Sequence, residues 1–212
     1  INTIPQLTRN FLEFADTVPG MLHAAIAACP VFNGTIKTMD ASKVESRRGI
    51  VKVLNLGTFV AVVADNWWRA KEALRDVAVD WDVGEHGTLS SAAIMAHFKA
   101  GMEQADLAVA RNDGNTAEAL SKAAKVVEAE YFTPFLAHAT MEPMGCTVWF
   151  KDGAAQVWAS TQITDLARHV VAKVLGISSD QVQLHLTLLG GGFGRRLEMD
   201  VIAQAAFIAK AC

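Results

Sequence analysis

Cysteine is scarce in this chain of 212 residues, and the three present, Cys29, Cys146 and Cys212, are widely separated with no C-x-x-C pair. An odd, scattered set argues against a disulfide framework or a zinc knuckle. Free buried thiols are the default expectation, which leans towards a reducing compartment. Long apolar runs are missing as well. None approaches the ~20 residues of a membrane-spanning helix, and the N-terminus shows no charged leader ahead of an apolar core. Charge of one sign is not in excess: 19 Lys and Arg stand against 22 Asp and Glu, with a pI near 6.1. A net charge of −3 gives no reason to expect nucleic-acid binding. His86 and His97 have no partners at metal-ligand spacing and are expected to face solvent or pack. No internal repeat or low-complexity segment is present.

What is there suits a folded chain. The composition is 51% hydrophobic and 19% charged, enough for a sizeable core. The length allows one large domain or two modest ones. The chain starts at Ile1, not Met, and VIAQAAFIAKAC stops inside an apolar helical pattern with no cap. The expectation is therefore a piece of a larger assembly.

Periodicity divides the chain into two modules and a connector. In residues 1–85, strands are expected at 35–39, 50–54, 59–64 and 77–81. Asp40 opens one expected helix, and Asp65 or Asn66 caps a second through Leu74. Trp67, Trp68 and Trp81 read as core or interface residues. Residues 86–125 form a connector with helices expected from Ser91 to Met102 and from Thr116 to Ala124. From Val126 a second module begins with a strand over 126–132. A hairpin follows, turning at Lys151-Asp152-Gly153, then a helix from Thr164 or Asp165 that ends at Gly176. The fold class expected is α+β.

The final stretch carries the clearest functional signal. Val182, Leu184, Leu186 and Leu188 alternate with polar residues as a strand does. Gly190, Gly191, Gly192 and Gly194 then surround Phe193, and from Arg195 the pattern becomes helical. A strand, a glycine loop and a helix N-terminus together make an anion cradle of free N–H groups, with Arg195 and Arg196 adding positive charge. The other reading is a tight turn packed on neighbouring backbone, with the arginines solvated. The loop lacks Gly-Lys-Ser/Thr at P-loop spacing, and Arg195 stands where a dinucleotide fingerprint needs glycine.

Four stretches decide between them: PGMLHAAIAACPVF at 19–32, AHATMEP at 137–143, VWASTQ at 157–162 and GGGFGRR at 190–196. In order and spacing they resemble the molybdenum-binding large subunit of the xanthine oxidase family. The branch is that of the bacterial isoquinoline 1-oxidoreductase β subunits and aldehyde-oxidising subunits. The resemblance implies a small α/β hammerhead domain over 1–85 and an incomplete molybdopterin-binding α+β domain over 126–212. It implies a molybdopterin cofactor, in the cytosine dinucleotide form of bacterial members, and [2Fe-2S] clusters on a partner subunit. Other implied partners are the remaining C-terminal molybdopterin-binding region and a small-molecule substrate.

Position by position, the resemblance carries over cofactor contacts to Gln162, Gly191, Gly192, Phe193 and Gly194, with Arg195 as a further contact. Gln162 corresponds to a glutamine whose amide bonds an oxygen ligand of the metal; the alternative is a polar cap on the following helix. Arg196 is read as a cofactor contact or as half of an ion pair. His138 and Glu142 are read as hydrogen-bonded structural residues near the cavity. Leu197 stands where purine-oxidising members carry an acid, which disfavours a purine substrate. The family's catalytic glutamate lies beyond Cys212, so no residue here is assigned that role and this chain alone is expected to be inactive. The implied activity is hydroxylation of an N-heteroaromatic or aldehyde carbon with water-derived oxygen. A non-catalytic scaffolding module is the alternative, and a plain phosphate-binding protein explains neither VWASTQ nor AHATMEP. The compartment, cytoplasmic or periplasmic, is left open.

Overall fold

The computed structural model describes residues 18–104 and 107–212. It is a mixed α+β structure with three small sheets. One compact unit contains residues 18–86 and 138–212; a second contains Gly87–Ala137.

In the first unit, β1 (His23–Ala28), β3 (Ile50–Asn55) and β4 (Phe59–Ala64) form an antiparallel sheet in the order β1-β4-β3. Strand β4, FVAVVA, is buried at every position. A strand without polar alternation needs cover on both faces, and it has it. Val60 and Val62 pack with Ala41, Val44, Ala73 and Val77, and Ala64 packs with Ala25 and Ala70. Ala70 and Ala73 come from helix α1 (Trp67–Leu74), whose N-cap Asn66 accepts from the Arg69 N–H at 3.0 Å. Phe59, of opposite parity, meets Phe207 edge-on at 6.4 Å between ring centres. A separate two-stranded sheet pairs β2 (Thr35–Asp40) with β5 (Ala78–Asp82).

Two expectations for this region are corrected. No helix follows Asp40. The Asp40 carboxylate accepts from the Ser42 N–H at 2.9 Å, and turns chain from Ala41 to Ile50, because the side chain offers the backbone a local partner. Trp81 packs against the core as expected, whereas Trp67 and Trp68 are exposed on α1, which corrects the core half of their core-or-interface reading. Lys71 caps the Trp67 ring at 4.6 Å.

The second half of this unit is a three-stranded sheet in the order β6-β7-β8, from β6 (Cys146–Lys151), β7 (Ala154–Ala159) and β8 (Val182–Leu186). Asp152 and Gly153 take φ of 50° and 76°, the two left-handed residues that a two-residue hairpin requires. Strand β8 runs parallel to β7, so the chain crosses over through α4 (Thr164–Leu175). Gly176 ends that helix at φ 78°, and its N–H returns to the Ala172 carbonyl at 2.8 Å. Helix α5 (Asp200–Ala211) packs beside α4 and against β6. Val157, Val171, Leu175, Val182, Ile202 and Ala206 form the core between sheet and helices.

The second unit holds α2 (Ser91–Met102) and α3 (Thr116–Lys122), whose N-caps Ser90 and Asn115 accept from the Ala93 and Glu118 N–H groups. The strand expected over 126–132 does not form: these residues are exposed and join no ladder among the described residues. Alternating apolar residues make a strand only where a neighbour accepts its backbone bonds. The Lys99–Glu130 ion pair, 2.8 Å, ties this segment to α2.

Candidate functional site

The site is built where three chain segments meet: 138–142, 160–162 and 190–196. Each follows or precedes a regular element that fixes it. Residues 160–162 leave the end of β7, and the glycine loop lies beyond β8, which ends at Leu186 and not at Leu188. The helix expected from Arg195 does not start there. Arg195–Leu197 is a single 3-10 turn, and α5 begins at Asp200. The helix N-terminus therefore does not point its N–H groups directly into the loop. The reason lies in the two arginines, whose side chains are committed to separate partners on either side of that turn.

Within the loop, Gly191, Phe193 and Gly194 take φ of 105°, 51° and 88°. A left-handed Phe193 costs about 1 kcal/mol relative to an ordinary conformation, and its ring is exposed. The N–H of Gly194 donates to Gln162 Oε1 at 3.0 Å, and the N–H of Gln162 donates to the Arg196 carbonyl at 3.1 Å. Because the side-chain oxygen is the acceptor, the Gln162 amide is oriented with its NH₂ group left as donor. A methyl group added to Gly192 would lie 2.7 Å from Gln162 Cδ, so the glycine makes room for that side chain. The N–H groups of Gly191, Gly192 and Phe193 bond to no acceptor among the described residues. The loop thus offers successive backbone donors beside an oriented amide donor, a setting for an oxo, thiolate or phosphate acceptor.

Gln162 does not cap the following helix. Ile163 occupies the N-cap of α4 with no side-chain bond, and the Ile163 N–H is met by Thr161 Oγ1 at 3.2 Å.

A family model described as the molybdopterin cofactor-binding domain matches residues 99–212. The chain belongs to the molybdenum-binding large subunits of the xanthine oxidase family. It is similar to isoquinoline 1-oxidoreductase subunit beta of Brevundimonas diminuta, 30% identical over 213 residues, with 92% of this chain and 26% of that protein covered. A membrane-bound aldehyde dehydrogenase (pyrroloquinoline-quinone) of Gluconacetobacter polyoxogenes is 29% identical over 203 residues, again covering 92% of this chain and 26% of the relative. The fold is similar to that of the aldehyde oxidoreductase from Desulfovibrio desulfuricans ATCC 27774, with a TM-score of 0.71 at 18% identity, over 92% of this chain and 26% of that one. The chain thus spans about a quarter of the length of these relatives.

In this molybdopterin-binding segment the arginines divide their work. Arg195 forks onto Asp200 at 2.9 and 2.6 Å, and that hydrogen-bonded pair holds the Asp200 carboxyl below its ordinary range. Asp200 escaped the sequence reading, although an acid at the start of α5 five residues from an arginine was a readable signal. Arg196 is 1% exposed and pairs with Glu142 at 2.9 Å, so the ion-pair reading of Arg196 is the one found. Glu142 is hydrogen-bonded as expected, accepting from Ser160 Oγ at 2.9 Å and from the Gly190 N–H at 2.7 Å. Ser160, unremarked in the sequence, joins this network. His138 is exposed. No His, Cys, Asp and Glu cluster among the described residues is arranged to hold a metal ion directly. Nor is any helix among them long and apolar enough to cross a membrane.

Proposed function

We propose that this chain is the cofactor-facing portion of a molybdenum hydroxylase that oxidises an N-heteroaromatic or aldehyde carbon. The observation that carries this reading is the Gln162 amide, turned by the Gly194 N–H so that its NH₂ is the group on offer. Beside it stand the unbonded N–H groups of Gly191, Gly192 and Phe193. Such donors stabilise anionic and oxo groups without adding a formal charge that would bind substrate anions. They suit molybdopterin, whose metal-bound oxygens, dithiolene sulfurs and phosphate oxygens would be acceptors.

In this reading Gln162 holds an oxygen ligand of the metal and Gly191, Gly192, Phe193 and Gly194 line the pterin side. Arg195, neutralised by Asp200, contributes a hydrogen bond more than a charge. The bound cofactor supplies two-electron oxidation with oxygen from water. Residues 1–85 are read as the family's hammerhead domain and 126–212 as the start of its cofactor-binding domain. The cofactor is the cytosine dinucleotide form, and the electrons leave through an iron–sulfur partner subunit, because the scattered cysteines here cannot hold such clusters.

Elemental analysis of natively purified protein is expected to give molybdenum near one atom per chain. In the complete subunit that contains this segment, Gln162→Ala is then expected to lower kcat by roughly tenfold to a hundredfold, the loss of one transition-state hydrogen bond, with the thermal midpoint unchanged. Protein free of molybdenum, or kinetics indifferent to the substitution, would overturn the assignment.

A further inference from the structure

Among the described residues Arg196 is the largest side chain that is almost wholly buried, and its guanidinium finds five acceptors for its five N–H groups. Nε donates to the Gly191 carbonyl at 2.8 Å. Nη1 donates to Ser160 Oγ and, at 3.4 Å, to the Ser160 carbonyl. Nη2 donates to the Glu142 carbonyl at 3.0 Å and to Glu142 Oε2 at 2.9 Å. Its own carbonyl accepts from Thr161 Oγ1 and from the Gln162 N–H, both at 3.1 Å. Glu142 reaches the loop a second way: its N–H donates to the Gly190 carbonyl at 3.1 Å while its Oε2 accepts from the Gly190 N–H. Every segment of the candidate site is therefore bonded to one of these two residues. A Cβ on Gly190 would lie 2.5 Å from Glu142 Cβ, so the loop approaches the pair as closely as backbone can.

We infer that the ion pair between buried Arg196 and part-buried Glu142 is a positioning clamp that fixes the glycine loop and the Gln162 amide as one rigid unit facing the cofactor. The purpose of the clamp rests on the cofactor reading above; the clamp itself rests on the bonds just described. A buried ion pair is a poor device for stability alone, since two well-packed apolar residues often do as well. What apolar residues cannot do is hold particular carbonyl and N–H groups in place.

That difference supplies the test. Hydrogen exchange is followed by peptide in chain produced by cells unable to make molybdopterin, and molybdenum is measured in chain from cells that make it. Arg196→Lys keeps the charge and loses the fork; Glu142→Gln keeps the shape and loses the charge. Both are expected to speed exchange of the hydrogen-bonded amides of Gly190, Gly194 and Gln162 by about tenfold or more while α4 and α5 exchange as before. Both are expected to lower molybdenum content. The double variant Glu142→Leu with Arg196→Met is expected to recover the thermal midpoint and to keep the fast loop and the lost metal. Wild-type loop exchange in the single variants overturns the clamp, as does an acceleration spread evenly over α4 and α5. A double variant that recovers its loop protection together with its midpoint overturns it too. Wild-type protein without molybdenum, beside variants with loosened loops, overturns the cofactor reading and leaves the clamp standing.

Discussion

Two glycines of the loop are required for different reasons, and the difference can be measured. At Gly194 a Cβ would meet only His138 Nε2 at 3.9 Å, but the backbone sits at φ 88°. Gly194→Ala is expected to cost about 1–2 kcal/mol of stability through backbone strain, read as a lower thermal midpoint. At Gly192 the backbone is ordinary and the obstacle is Gln162, 2.7 Å from the new methyl group. Gly192→Ala is expected to leave the midpoint nearly unchanged, because a flexible side chain can move aside, and to reduce molybdenum content by displacing the Gln162 amide. Both positions were legible in the sequence as parts of GGGFGRR. The roles of Glu142 and Ser160 were much less so. Their partners lie 54 and 36 positions away in Arg196, and a long-range hydrogen bond leaves no periodic mark on a sequence.

At the scale of elements, α5 opens on Asp200, whose carboxylate is held by Arg195. Its pKa is lowered on folding, chiefly by that hydrogen bond. The contribution is therefore present at neutral pH and lost as the pH falls through the lowered value. Asp200→Asn is expected to cost no more than about 1 kcal/mol at pH 7, because the pair is half in solvent and screened. Thermal midpoints of variant and parent should converge as the pH drops below the ordinary aspartate value of about 3.9. The elements most legible beforehand were those with local determinants. The Asp152-Gly153 turn, the Gly176 cap and the unbroken apolar run of β4 each carry their signal within a few residues. The strand expected at 126–132 failed because pairing is decided by a neighbour, and the helix expected at Asp40 failed because the carboxylate bonds its own turn.

At the scale of the molecule, Phe59 of β4 and Phe207 of α5 join the first sheet to the helices of the second. Lys52 Nζ adds a bond from β3 to the Ala211 carbonyl at 2.5 Å. Removing half-exposed Phe207 is expected to cost roughly 1.5–2 kcal/mol, below the range for a fully buried ring. Calorimetry should show one transition in the parent and a broadened or divided one in Phe207→Ala. The clamp has a kinetic side as well. The β6–β7 hairpin closes over a two-residue turn and can form in microseconds, whereas Arg196 reaches Glu142 only after β8 has crossed over beside β7. Contacts of such separation wait on the closure of long loops. The three segments of the site are therefore expected to come together among the last events of folding. Up to that moment, the way in stays open to a large, charged passenger that the finished protein would have to admit through its surface.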